Sequence, residues 1–348
     1  MSIVNTSPEF GRKSKNPPIP GIRIYGTGIG MPENFIPNEE LNTPGCDSEW
    51  IVQRTGIRSR FHASQRQATS DLAIAAAEAC LANAGATAAD VDLVLICTMT
   101  PDHFTPSTAC LVQGKLGFHC PAMDLNAACS GFIYGLITAS QFISTGSVRR
   151  ALVIGADKMS IVIDPQDPRT WPLFGDGAGA ALVGGDDSLS LEAGGPGIIS
   201  WRLGSEGELG GSLVVPAGGS RQPNTIEAIE ARENYLKMEG RAVFKWAVRR
   251  LPEIVMSLVE DAGIDLQDVD VFLLHQANRR IIDAAADQMG IDPAKVFVNL
   301  DRFGNTSAGS VPILMHECYE NGKIEPGQLV LAAGFGAGLT WGGYLMRW

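Results

Sequence analysis

Three residues of chemically reactive types stand at the ends of apolar segments. Cys129 lies in "NAACSGFIYGL" among small residues, just ahead of a long apolar run. His275 ends the apolar run of "LLHQAN", and Asn305 lies in "RFGNTSAG". A cysteine can supply a nucleophilic sulfur, a histidine can move or donate a proton, and an asparagine amide donates hydrogen bonds. Together these types form a candidate constellation for nucleophilic catalysis.

Each of the three residues also has an ordinary structural explanation. A buried cysteine often serves as a small hydrophobic residue, a histidine at a strand end is often a hydrogen-bonded part of the core, and asparagine is common in turns. These alternatives stay open on residue type alone. We interpret the other histidines, His62, His103, His119 and His316, as structural or surface residues. No cluster of acidic, cysteine or histidine residues has the spacing of a metal site.

The chain repeats itself in one register. "AGATAADVDLVLICT" (84–98) matches "AGIDLQDVDVFLLHQ" (262–276) at an offset of 178 positions, which is 262 minus 84. The same offset places "ACSG" (128–131) on "TSAG" (306–309) and "ALVIGAD" (151–157) on "LVLAAGF" (329–335). Three separated segments in one register indicate an internal duplication of one α/β unit.

Each half is predicted to contain the same elements. A helix ends at Gly85 or Gly263, and helix and strand segments then alternate. The predicted strands are 91–97, 121–125 and 150–155 in the first half and 269–274, 296–299 and 328–333 in the second, with helices at 130–144 and 307–320. The continuous apolar runs are typical of strands covered on both faces. We therefore expect an α/β fold of two similar halves with mixed, mostly parallel sheets.

This arrangement predicts where the reactive residues lie. Ligands of open α/β sheets bind beyond the carboxyl ends of the strands, where Cys129, His275 and Asn305 all fall. The N-terminus of the helix after Cys129 is expected to lower the pKa of its thiol. Backbone N–H groups at this turn and in the Gly-rich turn "GFGAG" (334–338) could together form an oxyanion hole.

Composition excludes several classes of function. The 348 residues carry a net charge of −11, which disfavours a nucleic-acid partner. No apolar stretch is long enough to span a membrane, and we expect no membrane association. The first 18 residues are polar, without a secretory signal, and are predicted to form a loose tail. The seven cysteines form no CxxC pair, which favours a reducing, cytoplasmic location. The stretches "GTGIG" and "GFGAG" lack the GxGxxG dinucleotide pattern.

From about residue 20 to Trp348 the sequence resembles the thiolase superfamily, and within it 3-oxoacyl-[acyl-carrier-protein] synthase III. The resemblance is carried by "EWIVQRTGIRSR", "AACSGFIYGL", "FGDGAGAALV", "HQANRRI", "LDRFGNTSAGSVP" and "GFGAGLTWGG". It implies a homodimer with a thiolase-like, five-layered αβαβα fold of two duplicated halves. The chain would divide into a tail (1–18), a half with the nucleophilic cysteine (19–196), and a half with the histidine and asparagine (197–348).

The resemblance also implies a reaction. An acyl-CoA starter would be condensed with malonyl-acyl carrier protein in a decarboxylative Claisen reaction that initiates fatty acid synthesis, which makes the chain an acyltransferase. Cys129, His275 and Asn305 would form the catalytic triad, and an acyl group would be held on Cys129. Coenzyme A enters as part of a substrate, and no cofactor is expected. The alternatives are a specialised condensing or acyl-transfer enzyme of secondary metabolism, of polyketide or quinolone type, and a non-catalytic acyl-CoA-binding homologue.

Further positions match those that contact substrates in this family. The oxyanion hole would use the N–H groups of Cys129 and Ala337, and the family often has glycine at the second position. Phe335 matches an aromatic residue near the malonyl site. Thr105 stands where a bulky phenylalanine often closes the acyl pocket, so we expect a starter longer than acetyl. The residues that would bind CoA and pantetheine are Trp50, Arg54, Arg169 and Asn278, with Cys46 at a CoA-contact position.

A basic stripe is predicted on one helix of this acidic chain. Arg241, Lys245 and Arg249 recur every four residues in a helical stretch at about 235–260, so they share one helix face. A solvated helix face is one explanation. The resemblance favours the docking of an acidic carrier protein, with Arg280 as a further member of the patch.

Overall fold

A computed structural model of the chain describes residues 15–41, 45–186 and 194–348. Most of the predicted tail (1–18) therefore lies outside the described residues. The part that is described lies against the body of the protein. The Asn16 side chain donates to the Trp201 carbonyl at 2.9 Å, and the Trp201 indole donates to the Pro17 carbonyl at 3.0 Å.

Helices and strands alternate along the described chain. The strands are β1 Ile19–Pro20, β2 Ile22–Gly30, β3 Asn34–Pro37, β4 Ser59–His62, β5 Leu93–Cys97, β6 Ala122–Leu125, β7 Arg150–Asp157, β8 Gly177–Gly185, β9 Gly197–Ser205, β10 Leu213–Val214, β11 Lys237–Met238, β12 Val271–Leu274, β13 Leu329–Gly336 and β14 Thr340–Arg347. The helices are α1 Ser48–Thr55, α2 Thr69–Ala84, α3 Thr108–Leu116, α4 Gly131–Ser144, α5 Ile226–Glu230, α6 Gly240–Ala262, α7 Arg279–Met289, α8 Leu300–Phe303 and α9 Ser310–Glu320.

Two five-stranded sheets of the same construction form the centre of the fold. One sheet has the strand order β2-β8-β7-β5-β6 and the other has the order β1-β9-β14-β13-β12. In the first sheet β5 pairs in parallel with β6 and β7, whereas β8 pairs antiparallel with β7 and β2. In the second sheet β12 and β13 are parallel, and β14 pairs antiparallel with β13 and β9. Both sheets are therefore mixed and partly parallel. Three of the eight strand pairings described in them are parallel, so the prediction of mostly parallel sheets was too strong.

Three apolar clusters divide the molecule into five layers. Helices α4 and α9 pack between the two sheets, in a cluster that contains Phe132, Leu314 and Val330. Helices α6 and α7 cover the outer face of the second sheet, and α2 and α3 cover the outer face of the first. This helix–sheet–helix–sheet–helix arrangement is the predicted αβαβα fold.

The predicted duplication is present, with a shift of one residue in its register. Gly85 and Gly263 both end helices in the left-handed conformation, at φ of 60° and 69°, as predicted. These two glycines are 178 positions apart (263 minus 85). The turn residues with positive φ, Ala128 at 47° and Ser307 at 51°, are 179 positions apart (307 minus 128). Cys129 is therefore equivalent to Ala308, and the sequence match that aligned it with Ser307 was wrong by one residue.

Two further predictions about the halves have different outcomes. The predicted strand 296–299 is reduced to an isolated bridge between Val296 and Phe272. The division of the chain between residues 196 and 197 stays a prediction. It coincides with the start of β9, the first long strand of the second sheet.

Each half places a short turn on a strand of the other half. The turn at Ala128–Ser130 packs on β13, and the turn at Ser307–Gly309 packs on β7. The contact involves backbone on both sides. A Cβ atom at Gly155 of β7 would lie 2.2 Å from the Ala308 carbonyl oxygen, so only glycine fits there.

This close contact predicts that Gly155→Ala destabilises the protein by about 1–3 kcal/mol, because a backbone carbonyl has little freedom to move away from the new methyl group. The measurement is the free energy of unfolding from urea titration. Gly114→Ala is the matched control, since Gly114 lies in α3 with no atom within 4 Å of an added Cβ. This control should gain about 0.5–1 kcal/mol. Equal stability of Gly155→Ala and the wild type would contradict the described packing.

Candidate active site

One cavity brings the three predicted reactive residues together. Cys129, His275 and Asn305 all line a cavity of about 110 Å³. Its remaining wall is mainly apolar and includes Met99, Met159, Leu213, Leu236, Phe244 and Trp246. The cavity lies where the two duplicated halves meet, at the carboxyl ends of the central strands.

A sharp turn presents Cys129 to this cavity. Ala128 takes a left-handed conformation at φ 47°, and the Asn126 side chain accepts its N–H at 3.1 Å. The 3₁₀ turn Ala128–Ser130 follows and leads directly into α4 at Gly131. Cys129 thus lies at a helix N-terminus, as predicted. It is buried, with only 8% of its surface exposed.

Burial changes the expected ionisation of this thiol. Loss of solvation raises the pKa of Cys129 to about 12, whereas the sequence had suggested a lowered pKa. A helix N-terminus stabilises a negative charge by about 2 kcal/mol at most, which is too little to offset complete burial. Cys129 therefore rests as a neutral thiol near neutral pH, and stabilisation of the thiolate matters only as the sulfur reacts.

His275 is held in a fixed orientation at the end of β12. Its backbone N–H donates to the Ala333 carbonyl at 2.9 Å, and its Nδ1 lies 2.6 Å from the Ser310 hydroxyl. The Phe335 ring meets the imidazole edge to face, with centroids 5.5 Å apart. Burial lowers the pKa of His275 to about 3, so the ring is neutral at physiological pH.

Asn305 is fixed by backbone hydrogen bonds on both sides. Its N–H donates to the Leu173 carbonyl at 2.8 Å, and its carbonyl accepts from the Gly175 N–H at 3.1 Å. The side-chain oxygen accepts the Ser307 N–H at 2.9 Å. Because that oxygen is used, the amide NH₂ is the group that Asn305 offers as a donor.

The predicted Gly-rich turn (334–338) begins later in the structure, because β13 extends to Gly336. Residues 336–339, termed the oxyanion turn, lie directly against Cys129. A Cβ atom at Gly336 would be 2.6 Å from the Cys129 nitrogen. Thr340 joins the two segments, because its hydroxyl donates to the Ala127 and Ala337 carbonyls at 2.9 and 3.1 Å. The backbone φ of Ala337 lies outside the left-handed region, so alanine fits at this position without strain. The N–H group is therefore kept where the family often has glycine.

Three of the predicted CoA-binding residues are connected to this cavity, namely Asn278, Arg54 and Trp50. Asn278 lines the cavity, and its side chain donates to the Arg54 carbonyl at 3.3 Å. The Arg54 guanidinium lies 5.6 Å from the Trp50 ring centroid. Arg169 is exposed and bonded to Asp167 at 2.8 Å, and the Cys46 sulfur lies 3.8 Å from the neighbouring Pro168 carbonyl.

Thr105 lies apart from these residues in the described chain. It lines a separate open depression of about 1050 Å³ rather than the Cys129 cavity. Met99 lines both spaces and stands between them. The role of Thr105 in the acyl pocket therefore stays a prediction.

The basic stripe is exposed on α6 as predicted. Arg241, Lys245 and Arg249 are all exposed, and only Arg249 has a nearby carboxylate on its helix, Glu253 at 3.9 Å. Arg280, also exposed, lies over the Phe244 ring at 5.5 Å, which places it beside the cavity wall.

Sequence reasoning missed the residues that hold the reactive groups. Ser310 orients His275, Thr340 holds the oxyanion turn, and Trp246 forms a wall behind Phe335. Ser310 lies only five positions after Asn305, so its proximity was a usable indication. No local pattern indicates the other two, because Thr340 also bonds to Ala127 across 213 positions and Trp246 and Phe335 are 89 positions apart (335 minus 246).

Two kinds of site are absent from the part of the chain that the structure describes. No group of three or more His, Cys, Asp or Glu side chains there could hold a metal ion. Within the same ranges, no helix has both the length and the apolar character needed to cross a membrane.

Comparison with known proteins finds one family along the chain. The family model described as 3-oxoacyl-[acyl-carrier-protein (ACP)] synthase III matches residues 123–207, and the model of its C-terminal part matches residues 259–348. The beta-ketoacyl-[acyl-carrier-protein] synthase III of Rhodopirellula baltica is 49% identical over 340 residues, covering 94% of this chain and 99% of that protein.

Solved structures agree with this similarity. The 3-oxoacyl-[acyl-carrier-protein] synthase III of Aquifex aeolicus matches with a TM-score of 0.85 and 39% identity, covering 94% of this chain and 100% of that chain. A priming beta-ketosynthase from a polyketide biosynthetic pathway matches with a TM-score of 0.85 and 34% identity, covering 96% and 98%. The predicted fold class is confirmed.

The burial of His275 predicts a pH dependence of stability. In the folded protein the pKa of His275 is about 3, below the value of about 6.5 in an unfolded chain. Between these values only the unfolded chain binds the proton, so the free energy of unfolding is highest above pH 6.5 and decreases as the pH falls. Between pH 7.5 and 5.0 the loss should be about 2 kcal/mol. Urea unfolding at both pH values is the measurement. The free energy of unfolding of His275→Gln should decrease between them by about 2 kcal/mol less than that of the wild type. Exposed His103, changed to Gln, is the control and should behave as the wild type; an unchanged loss in His275→Gln would contradict the assignment.

Proposed function

The chain belongs to the 3-oxoacyl-[acyl-carrier-protein] synthase III family, and from that membership we propose that it is an acyltransferase that condenses an acyl-CoA starter with malonyl-acyl carrier protein, with an acyl group held on Cys129. The observation that carries the assignment of roles is the single cavity lined by Cys129, His275 and Asn305. We assign these three residues as catalytic.

In the first half-reaction the Cys129 sulfur attacks the thioester carbonyl of acyl-CoA. The oxygen becomes negatively charged in the tetrahedral intermediate, and the N–H groups of Cys129 and Ala337 are the donors that stabilise it. The carbon–sulfur bond to CoA then breaks. CoA leaves as its thiol, because the departing CoA thiolate takes up the proton that Cys129 loses. The helix N-terminus acts on the sulfur only while it carries charge.

In the second half-reaction malonyl-acyl carrier protein enters the vacated site. The imidazole of His275 and the amide of Asn305 donate hydrogen bonds to its thioester oxygen. These bonds stabilise the enolate that forms as carbon dioxide departs. The enolate carbon attacks the acyl group on Cys129, and a new carbon–carbon bond forms as the bond between the acyl carbon and the sulfur breaks. The Cys129 thiolate then takes up one proton from solvent. Splitting the reaction at a covalent intermediate predicts ping-pong kinetics.

The surroundings of His275 suit this role. The ring is neutral, so one of its nitrogens carries a proton and the other does not. When the Ser310 hydroxyl donates to Nδ1, the proton resides on Nε2, which can then donate to the substrate oxygen. An enolate needs such a fixed donor rather than a strong base.

The approach to the cavity supports substrates that carry a pantetheine arm. Trp50 and Arg54 form a stacked pair suited to the adenine of CoA, with Arg169 as a further contact. Asn278 lies where the arm would pass, and Phe335 lies beside His275 at the malonyl position. The exposed Arg241, Lys245, Arg249 and Arg280 would dock an acidic carrier protein.

The remaining assignments belong to the same proposal. We infer a homodimer, two halves divided at residues 196 and 197, and a cytoplasmic location, the last supported by seven cysteines that are all free thiols. Thr105 in place of a bulky residue would admit a starter longer than acetyl. Curated relatives at 41–49% identity carry the name beta-ketoacyl-[acyl-carrier-protein] synthase III, whereas the polyketide priming enzyme is 34% identical, so fatty acid initiation is favoured.

The acyl-enzyme can be detected directly. Mixing the protein with a panel of acyl-CoAs should add one acyl mass, and Cys129→Ala should abolish this adduct, because Cys129 is the one thiol among the described residues that line the cavity with His275 and Asn305. Intact-mass spectrometry is the measurement, and medium-chain adducts should form faster than acetyl adducts. Cys318→Ala removes another buried thiol and should keep the adduct. Labelling that survives in Cys129→Ala would refute the proposed nucleophile, and a clear preference for acetyl would refute the longer starter.

Carrier docking predicts a selective kinetic defect. Lys245→Glu reverses a charge on the exposed stripe, so KM for malonyl-acyl carrier protein should rise about tenfold at low salt, while acylation by acyl-CoA stays unchanged. Steady-state kinetics with both substrates is the measurement. Lys323→Glu makes the same charge change at an exposed lysine after α9 and should leave both constants unaltered. Equal defects in both half-reactions of Lys245→Glu would argue against a docking role.

A further inference from the structure

We propose that Glu206 is a positioning residue that holds the oxyanion turn, residues 336–339, against Cys129. The inference rests on the proposed function, because it concerns the donors that act in acylation. Glu206 lies outside the triad and does not line the Cys129 cavity. It contacts the two segments that form one side of that cavity.

The backbone of Glu206 is joined to the oxyanion turn by two hydrogen bonds. Its N–H donates to the Leu339 carbonyl at 2.7 Å, and its carbonyl accepts the Leu339 N–H at 3.1 Å. These bonds extend the pairing of β9 with β14 beyond Thr340 and Ser205. Leu339 itself lines the cavity, so the last residue of the turn is fixed by Glu206.

The side chain of Glu206 joins this same point to α6. One carboxylate oxygen accepts the Trp246 indole N–H at 3.0 Å, and the other accepts a hydrogen bond from the Arg250 guanidinium. The Arg250 side chain is only 8% exposed and has a second carboxylate partner, Glu253, at 2.8 Å. Charge-assisted hydrogen bonds in such a setting are short and directional. Glu206 therefore fixes the turn relative to a 23-residue helix.

Trp246 also connects Glu206 to His275, through the ring of Phe335. The Trp246 ring packs edge to face on Phe335 with centroids 5.8 Å apart, and Phe335 packs in the same way on His275 at 5.5 Å. On its other side the turn is held by Thr340, whose hydroxyl also accepts from Ser130 at 2.7 Å. The turn is thus fixed to the Cys129 segment through Thr340 and to α6 through Glu206, which pairs with the adjacent residue Leu339.

This placement predicts a defect limited to reactions that pass through an oxyanion. Attack on a thioester needs the Ala337 N–H in register with the developing charge. Alkylation of the same sulfur by iodoacetamide forms no oxyanion. A loosened turn should therefore slow acylation of Cys129 and leave its alkylation nearly unchanged. Simple loss of folding would change both reactions together.

Glu206→Gln is the first test. Both side-chain neighbours are donors only, so the glutamine NH₂ would face one of them and lose that bond. At saturating acyl-CoA the acylation rate, followed by rapid quench and intact mass, should fall about tenfold, with KM for acyl-CoA within about twofold. The rate of Cys129 alkylation by iodoacetamide should stay within about twofold of the wild type.

Two further variants make the outcome decisive. Glu253→Gln removes the other carboxylate on Arg250, which does not touch the turn, and should acylate at the wild-type rate. Trp246→Phe deletes the indole N–H and keeps an aromatic ring, so it should slow acylation in the same direction even if Glu206→Gln fails to fold. Wild-type acylation in Glu206→Gln or Trp246→Phe, or an equal loss in Glu253→Gln, would overturn the inference. Absence of any adduct in the wild type would instead overturn the proposed function.

Discussion

The proposed active site depends on the backbone-to-backbone contact between two halves of one chain. The turn at Ala128–Ser130 packs on β13 of the second half, and the turn at Ser307–Gly309 packs on β7 of the first. Each contact requires glycine at the opposing position, because a methyl group at Gly155 or Gly336 would collide with backbone atoms at 2.2 or 2.6 Å. The distance between Cys129 and the oxyanion turn is therefore set by backbone contacts rather than by side chains. The same rigid backbone sets the positions of the proposed oxyanion donors.

Burial gives this site an uncharged resting state. Loss of solvation raises the pKa of Cys129 and lowers that of His275, and both shifts favour the neutral form. A permanent thiolate–imidazolium pair is therefore not the resting arrangement. A neutral imidazole fixed by Ser310 keeps one proton to donate, and a neutral thiol reacts slowly with competing electrophiles because the thiolate is the nucleophilic form. Charge arises during the proposed reaction, where helix N-terminus and backbone N–H groups already point at it, so little reorganisation is needed.

The sequence contains enough information for the fold and the reactive residues, since both depend on local patterns. Gly85 and Gly263 end their helices where predicted, and Cys129 and His275 follow β6 and β12. Asn305 follows the short helix α8 rather than a strand, yet it lines the same cavity. The features that could not be predicted from the sequence also have physical causes. The sign of the Cys129 pKa shift depends on total burial, which no local pattern reports. Glu206 contacts residues 40 and 133 positions away (246 minus 206, and 339 minus 206), and such pairings follow only from the packed structure.

The duplication has diverged at one pair of equivalent positions, and the difference fits the proposed chemistry. β7 ends at Asp157 and β13 ends at Gly336, and each of these residues faces the middle residue of the opposing turn. The Asp157 carboxylate accepts the Ala308 N–H at 3.1 Å, so that turn is locked. Its equivalent, the Cys129 N–H, faces a glycine that has no side chain to accept it. A carboxylate at Gly336 would occupy the place of a substrate oxygen and repel its developing charge. The turn that carries the proposed nucleophile thus leaves its N–H available for a substrate oxygen, whereas the equivalent N–H of Ala308 is bonded to Asp157.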